Sequence, residues 1–210
     1  MTSVTIAAFD FDETLSRRDS VIPFLRRIAG ARQMGTGLAV RSPQLMPALL
    51  RRDRNQVRAI ATRQVFAGRP ISQIEQHAAV YGDLLAEQGL RDDMVARLRW
   101  HQQQAHLTLI VSASYEHYLR EVQRRLGVDD VLATRLEVVD GRCTGELDGA
   151  NCRGPEKARR LHEWLAGRGW TRNDVTLWAY GDSSGDRELL AMADHPVWVS
   201  GPLASVAPIL

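Results

Sequence analysis

Asp10 and Asp12 flank Phe11, and Thr14 follows two residues later, so a D-x-D-x-T spacing comes directly after the apolar run Val4 to Phe9. Two carboxylates this close repel one another where water is scarce, and a divalent cation relieves the repulsion while leaving both ionised. Hard oxygen donors favour Mg2+, which uses few protein carboxylates and fills its other positions with water or a substrate phosphate. Zinc is a poor fit, because the six histidines show no HExxH or paired spacing and neither Cys143 nor Cys152 accompanies them. Asp182 ends a second apolar run, Val175 to Tyr180, within the stretch GDSSGD, and it is expected to bind the metal together with Asp10. Asp186 in the same stretch balances between that role and the first turn of a helix containing Arg187 and Glu188.

Ser112 ends a third apolar run, Leu107 to Val111, and precedes a helix expected to open near Tyr115. Its hydroxyl and the backbone N–H groups that follow, starting at Ala113, are placed to meet a phosphate oxygen near the positive end of that helix. Ser114 is better placed to cap the helix, which leaves Ser112 to the ligand. Lys157 is the sole lysine among 27 basic side chains. A compact ammonium fits between a phosphate and a carboxylate where a planar guanidinium does not, so its escape from the arginine bias points to the site. Asp92 with Asp93, and Asp129 with Asp130, read as helix starts or turns, and the six histidines as surface or structural residues.

These groups need elements that bring them together. Val4 to Phe9, Leu107 to Val111 and Val175 to Tyr180 are short continuous apolar runs, the mark of strands buried on both faces, and Val197 to Val199 is a shorter fourth. Helical periodicity covers Asp92 to Gln104 and Tyr115 to Leu126, and a helix opened by Pro155 runs to Leu165. Strands alternating with helices predict a doubly wound parallel α/β sheet, whose strand ends gather Asp10, Asp12, Ser112 and Asp182 along one edge. Leu136 to Val138 and Cys143 to Leu147 flank Asp140-Gly141, the signature of a β-hairpin. Residues 20–89 lack a buried strand and are rich in helix formers, which predicts a helical cap inserted after the first strand, with residues 1–19 and 90–210 forming the core.

The formal net charge of +2 does not argue for nucleic acid. Arg41, Arg51, Arg52, Arg54, Arg58, Arg63 and Arg69 fall close together and are read as the solvated face of surface helices. The two cysteines form neither a CxxC pair nor a disulfide framework, and the first residues carry no signal-peptide pattern, so a cytoplasmic location is expected. No membrane span is expected either: Arg41, Pro43 and Pro47 break the Gly37 to Leu50 stretch well short of the ~20 apolar residues needed.

DFDETL from Asp10 to Leu15, Ser112 after a strand, Lys157 opening a helix, and GDSSGD from Gly181 to Asp186 resemble the four motifs of the haloacid dehalogenase (HAD) superfamily, over nearly the whole chain. A helical cap directly after the first motif is similar to the phosphoserine phosphatase-like branch, subfamily IB. The resemblance implies a HAD-like, Rossmannoid core and a phosphomonoester hydrolase working through an aspartyl phosphate. Asp10 would be the nucleophile and Asp12 the general acid and then base. Ser112 and Lys157 would hold the phosphoryl oxygens, with Phe11, Thr14 and Ala113 at the same phosphate site. Asp10, the backbone carbonyl of Asp12 and Asp182 would bind Mg2+, with Asp186 in support. The implied partner is a small phosphorylated substrate of a monomer or homodimer, phosphoserine-like, with histidinol phosphate or a phospholipid head group as alternatives. The chain departs from phosphoserine phosphatases in carrying Asp19 where glutamate is usual, Ser112-Ala113-Ser114 where Ser-Gly-Gly is usual, and Gly185 where asparagine is usual. A phosphoacceptor receiver domain uses a similar set of groups, but it needs neither Asp12 nor a helical insert of this size.

Overall fold

The computed structural model describes residues 4–30 and 54–203; Arg41, Arg51, Arg52 and the Gly37 to Leu50 stretch lie outside them, as does the side chain of Arg54. Five parallel strands form one sheet: β1 (Val4–Phe9), β2 (Leu107–Tyr115), β3 (Asp130–Thr134), β6 (Val175–Gly181) and β7 (His195–Trp198). Their order is β3-β2-β1-β6-β7, which puts β1 at the centre, paired with β2 and β6. Both of its faces are covered, as the unbroken apolar run requires: Ala7 and Phe9 enter one apolar cluster, Ile6 and Ala8 the other.

Helices α4 (Asp92–Gln103) and α5 (Glu116–Leu126) cover the first face, and α6 (Pro155–Ala166) with the short α7 (Arg187–Ala191) covers the second. The sheet is therefore doubly wound, as the alternation of strands and helices predicts. Asp92 and Asp93 do occupy the first turn of α4. Two expectations need correction. β2 continues past Val111 to Tyr115, so α5 opens one residue later than its periodicity suggests. Asp130 begins an edge strand instead of a turn or helix, while Asp129 accepts hydrogen bonds from the backbone N–H and hydroxyl of Thr108.

Between β1 and α4 lie α1 (Val21–Ala29), α2 (Arg54–Phe66) and α3 (Ile71–Leu84). Their apolar faces join the sheet's first cluster: Phe24 packs against Tyr81 and Tyr118, with ring centroids 5.5 and 4.8 Å away. α3 approaches α5 closely enough that a Cβ on Gly82 would lie 2.5 Å from Glu121 Cβ and 2.6 Å from the Tyr118 carbonyl oxygen, so only glycine fits. The predicted hairpin is formed by β4 (Leu136–Val139) and β5 (Arg142–Leu147). Asp140 and Gly141 turn it with φ of 49° and 73°, the double positive φ of a twist-matched two-residue turn. Among the described residues, no helix is long and apolar enough to cross a membrane.

Candidate active site

Asp10 follows the last residue of β1, and its backbone N–H donates to the Tyr180 carbonyl of β6 at 2.9 Å, so the two central strands fix it. Lys157, in the first turn of α6, places its Nζ 2.5 Å from Asp10 Oδ1 and 2.5 Å from Asp186 Oδ1. Asp186 Oδ2 in turn accepts from the Ser183 backbone and hydroxyl, both at 2.9 Å. This arrangement requires Gly181, where a Cβ would stand 2.4 Å from Asp186 Cβ. Asp182, just beyond β6, accepts from the Thr14 hydroxyl at 3.2 Å.

Asp10, Asp182 and Asp186 each offer a carboxylate oxygen, and these atoms lie within 4.8 Å of one another. Burial pushes the Asp10 carboxyl up to about 7 against the pull of Lys157, and burial with Asp186 raises that of Asp182. Burial works against the charge of Lys157, yet Asp10 and Asp186 outweigh it and hold the ammonium above its ordinary range. Three carboxylates against one ammonium leave excess negative charge among hard oxygen donors. That set fits a dication such as Mg2+, with Asp10, Asp182 and Asp186 able to hold it.

Asp12 sits in a different environment. Its Oδ1 accepts from the Ser20 backbone at 2.9 Å and the Ser20 hydroxyl at 2.5 Å, and its Oδ2 from the Ser114 hydroxyl at 2.7 Å. The hydroxyls of Tyr118 and Tyr81 lie 2.7 Å from Ser20 Oγ and 2.8 Å from the Ser20 carbonyl oxygen. Burial, with Asp19 adding, lifts the Asp12 carboxyl to about 6 against these donors. Ser114 therefore serves Asp12 and does not cap α5, whose first turn has no side-chain cap.

A cleft of about 790 Å³ opens onto this edge. Asp10, Asp12, Ser112, Ala113 and Asp182 line its sheet side, and Val21, Leu25, Arg58 and Ala61 line it from the inserted helices. Ser112 Oγ accepts the Ser114 N–H at 3.1 Å, which leaves its proton for a ligand. Of the remaining expected residues, Lys157, Asp186 and Thr14 stand buried behind the cleft wall, and the Phe11 ring packs in the apolar core, so Phe11 has only its backbone to offer. Arg58 is not on a solvated face: it lies 5.0 Å over the Tyr115 ring, and its buried Nη1 finds no acceptor among the described residues. Arg63, by contrast, pairs with Glu146 at the surface. Ser20, Tyr118, Asn151 and Arg153 belong to no motif legible in the sequence: Ser20 reaches Asp12 across eight positions, and Tyr118 reaches Ser20 across 98.

The haloacid dehalogenase-like hydrolase family matches residues 7–191. The chain belongs to that family. It is 40% identical over 192 residues to Protein CicA of Caulobacter vibrioides, covering 90% of this chain and 83% of that protein. A crystal structure of a protein of unknown function from Bordetella pertussis Tohama I superposes with a TM-score of 0.74 at 26% identity, over 90% of this chain and 87% of that one. A substrate-bound phosphoserine phosphatase shares the fold with a TM-score of 0.61 at 18% identity, over 92% of this chain and 84% of that one. The HAD-like hydrolase expected from the motifs is thus the family found, and the fold is phosphoserine phosphatase-like.

Proposed function

We propose that this hydrolase is a Mg2+-dependent phosphatase of small phosphorylated metabolites, of the phosphoserine phosphatase-like subfamily IB, with residues 20–89 as its cap. The observation that carries the reading is Lys157 bridging Asp10 and Asp186 beside Asp182, with Asp12 held apart by neutral donors. Lys157 fixes Asp10 Oδ1 and so leaves Oδ2 to attack phosphorus. The phosphoryl group passes to Asp10 and the leaving oxygen takes the Asp12 proton; water, deprotonated by the ionised Asp12, then releases phosphate from the aspartyl phosphate. A carboxyl with its pKa near 6 serves both steps near neutral pH. Ser112, Lys157 and the backbone near Phe11 and Ala113 supply donors to the phosphoryl oxygens. When bound, Mg2+ held by Asp10, Asp182 and Asp186, with the Asp12 carbonyl, adds positive charge where phosphoryl charge builds up.

Asp10→Asn is expected to abolish turnover of phenyl phosphate, and Asp12→Asn to lower kcat by roughly 10²–10⁴-fold. Acid-quenched single turnover, followed by mass analysis of the Asp10 peptide for a phosphoryl group, tests the covalent step. Two in-line displacements give net retention at a chiral phosphorus; inversion, the mark of a single direct attack by water, overturns the covalent step. Decay of the aspartyl phosphate within the turnover time separates an enzyme from a phosphoacceptor that stores the group. A panel including phosphoserine, histidinol phosphate and phosphorylated head groups, ranked by kcat/KM, names the substrate.

A further inference from the structure

Arg153 precedes α6 and lies against the turn that carries Asp186. A Cβ on Gly185 would stand 2.9 Å from Arg153 Cζ and 3.0 Å from both Cγ and Nε, so the arginine stem and guanidinium occupy the space that any other residue at 185 would take. The seat is fixed at three points: Arg153 N–H donates to the Asn151 carbonyl at 2.7 Å, Gly154 N–H to the Gly185 carbonyl at 2.8 Å, and Arg153 Nη2 to Ser184 Oγ at 3.2 Å. So anchored, Arg153 lines the cleft beside Asp182, Ser183 and Asn151. Among the described residues it forms no ion pair, unlike Arg159, Arg160 and Arg172, which all meet carboxylates. An unpaired guanidinium held in place at the mouth of an acidic cleft lowers the cost of bringing a second anion there, and its fork of N–H groups suits a carboxylate or phosphate.

We propose that Arg153 is a specificity-determining residue that receives a second anionic group, carboxylate or phosphate, carried by the leaving group of the substrate. The proposal rests on the phosphatase reading above. It makes the preferred substrates phosphomonoesters with a second negative charge within reach of the ester oxygen, and Gly185 the residue that gives Arg153 room.

The test compares kcat/KM for matched esters that differ by one carboxylate, 4-carboxyphenyl phosphate against phenyl phosphate and 3-phosphooxypropionate against propyl phosphate, in the full chain with Mg2+. The wild type should prefer the carboxylate member of at least one pair. Arg153→Gln should collapse that preference by about tenfold to a hundredfold, the range of a charge-assisted hydrogen bond. Gly185→Asn, which displaces the guanidinium without removing it, should lower the same ratio. A matched alkyl bisphosphate and monophosphate distinguish a phosphate from a carboxylate as the second anion. The proposal falls if the wild type shows no preference in any pair, or if both variants keep the wild-type ratio within twofold. A wild type that hydrolyses no phosphomonoester removes the phosphatase reading, and this proposal with it.

Discussion

Replacing Lys157 with methionine keeps most of the side-chain volume and removes the one cation between two buried carboxylates. Lys157 is 2% exposed, Asp186 1% and Asp10 7%, so water cannot replace the lost partner. Truncating one member of a buried ion pair costs about 3–5 kcal/mol, because the charge left behind is uncompensated. Lys157 serves two carboxylates, so Lys157→Met should sit at the upper end of that range at pH 8. The cost must depend on pH. Burial already holds the Asp10 carboxyl up at about 7, and losing the ammonium raises it further. A carboxyl whose folded pKa lies above its unfolded value favours folding at low pH and loses that contribution as pH rises through the folded pKa. The deficit against wild type is therefore small near pH 4, larger at pH 8, and complete only above the further-raised Asp10 pKa. Lys157→Met/Asp186→Asn should be more stable than Lys157→Met by about 1–2 kcal/mol, since one of the stranded charges is gone. Urea unfolding with chelator present, followed by circular dichroism at pH 4, 6 and 8, measures all three proteins. A Lys157→Met deficit under 1 kcal/mol at pH 8, or one that does not vary with pH, refutes the reasoning.

Three further outcomes are expected. Below pH 7, Mg2+ must displace a proton from the Asp10 carboxyl, so affinity should rise with pH by up to about tenfold per unit and then level off, with proton release seen by titration calorimetry in buffers of different ionisation enthalpy. Absence of proton release at pH 6 contradicts it, as does phosphatase activity that survives thorough chelation. Gly82→Ala should destabilise the fold by about 1–3 kcal/mol, because the new methyl meets the Tyr118 carbonyl, which cannot swing away; a loss under 0.5 kcal/mol in urea unfolding shows that α3 and α5 separate freely. Burial, with His106 and Arg97 adding, holds His101 down at about 3, so the unfolded chain binds a proton that the folded chain refuses. Its contribution is whole above about 6.5 and is lost as pH falls, by about 2 kcal/mol between pH 6.5 and 5, and His101→Gln should flatten that slope in the same assay.

The residues legible in the sequence were those whose position relative to a strand end fixes their place. Asp10, Ser112 and Asp182 each close an apolar run, and a parallel sheet has only one edge to which such ends can go. Lys157 stood out by composition. What escaped were residues whose roles depend on contacts far apart in the chain. Ser114 meets Asp12 across 102 positions, and the helix-cap reading failed because β2 runs on to Tyr115 and turns the hydroxyl toward Asp12. β3 escaped because Val131 to Thr134 is a short edge segment between Asp130 and Arg135, too brief for periodicity to register. Arg58 and Arg63 lie on one helix with identical chemistry; one lines the cleft and the other pairs at the surface, a difference that only packing creates.

Asp10 and Asp12 are two residues apart and both buried, yet they are suited to different work, and the cause lies in what surrounds each. Asp10 is tied to a lysine whose ammonium it shares with Asp186, so that cation opposes protonation of Asp10, and the group is favoured as a carboxylate once a dication joins. Among the described residues Asp12 meets no cation; its partners are Ser20 and Ser114, hydroxyls that can rotate to donate to a carboxylate or accept from a carboxylic acid. It can therefore gain and lose a proton with its hydrogen bonds kept in either state, and a proton carrier needs that freedom while a nucleophile does not. The chain turns sharply after Asp12, at Glu13 with φ of 60°, and Asp10 faces Lys157 of α6 while Asp12 faces Ser20 at the start of α1. The proposed nucleophile and the proposed acid are thus distinguished by the serines and the lysine around them, residues to which the proposal gives no bond-making role.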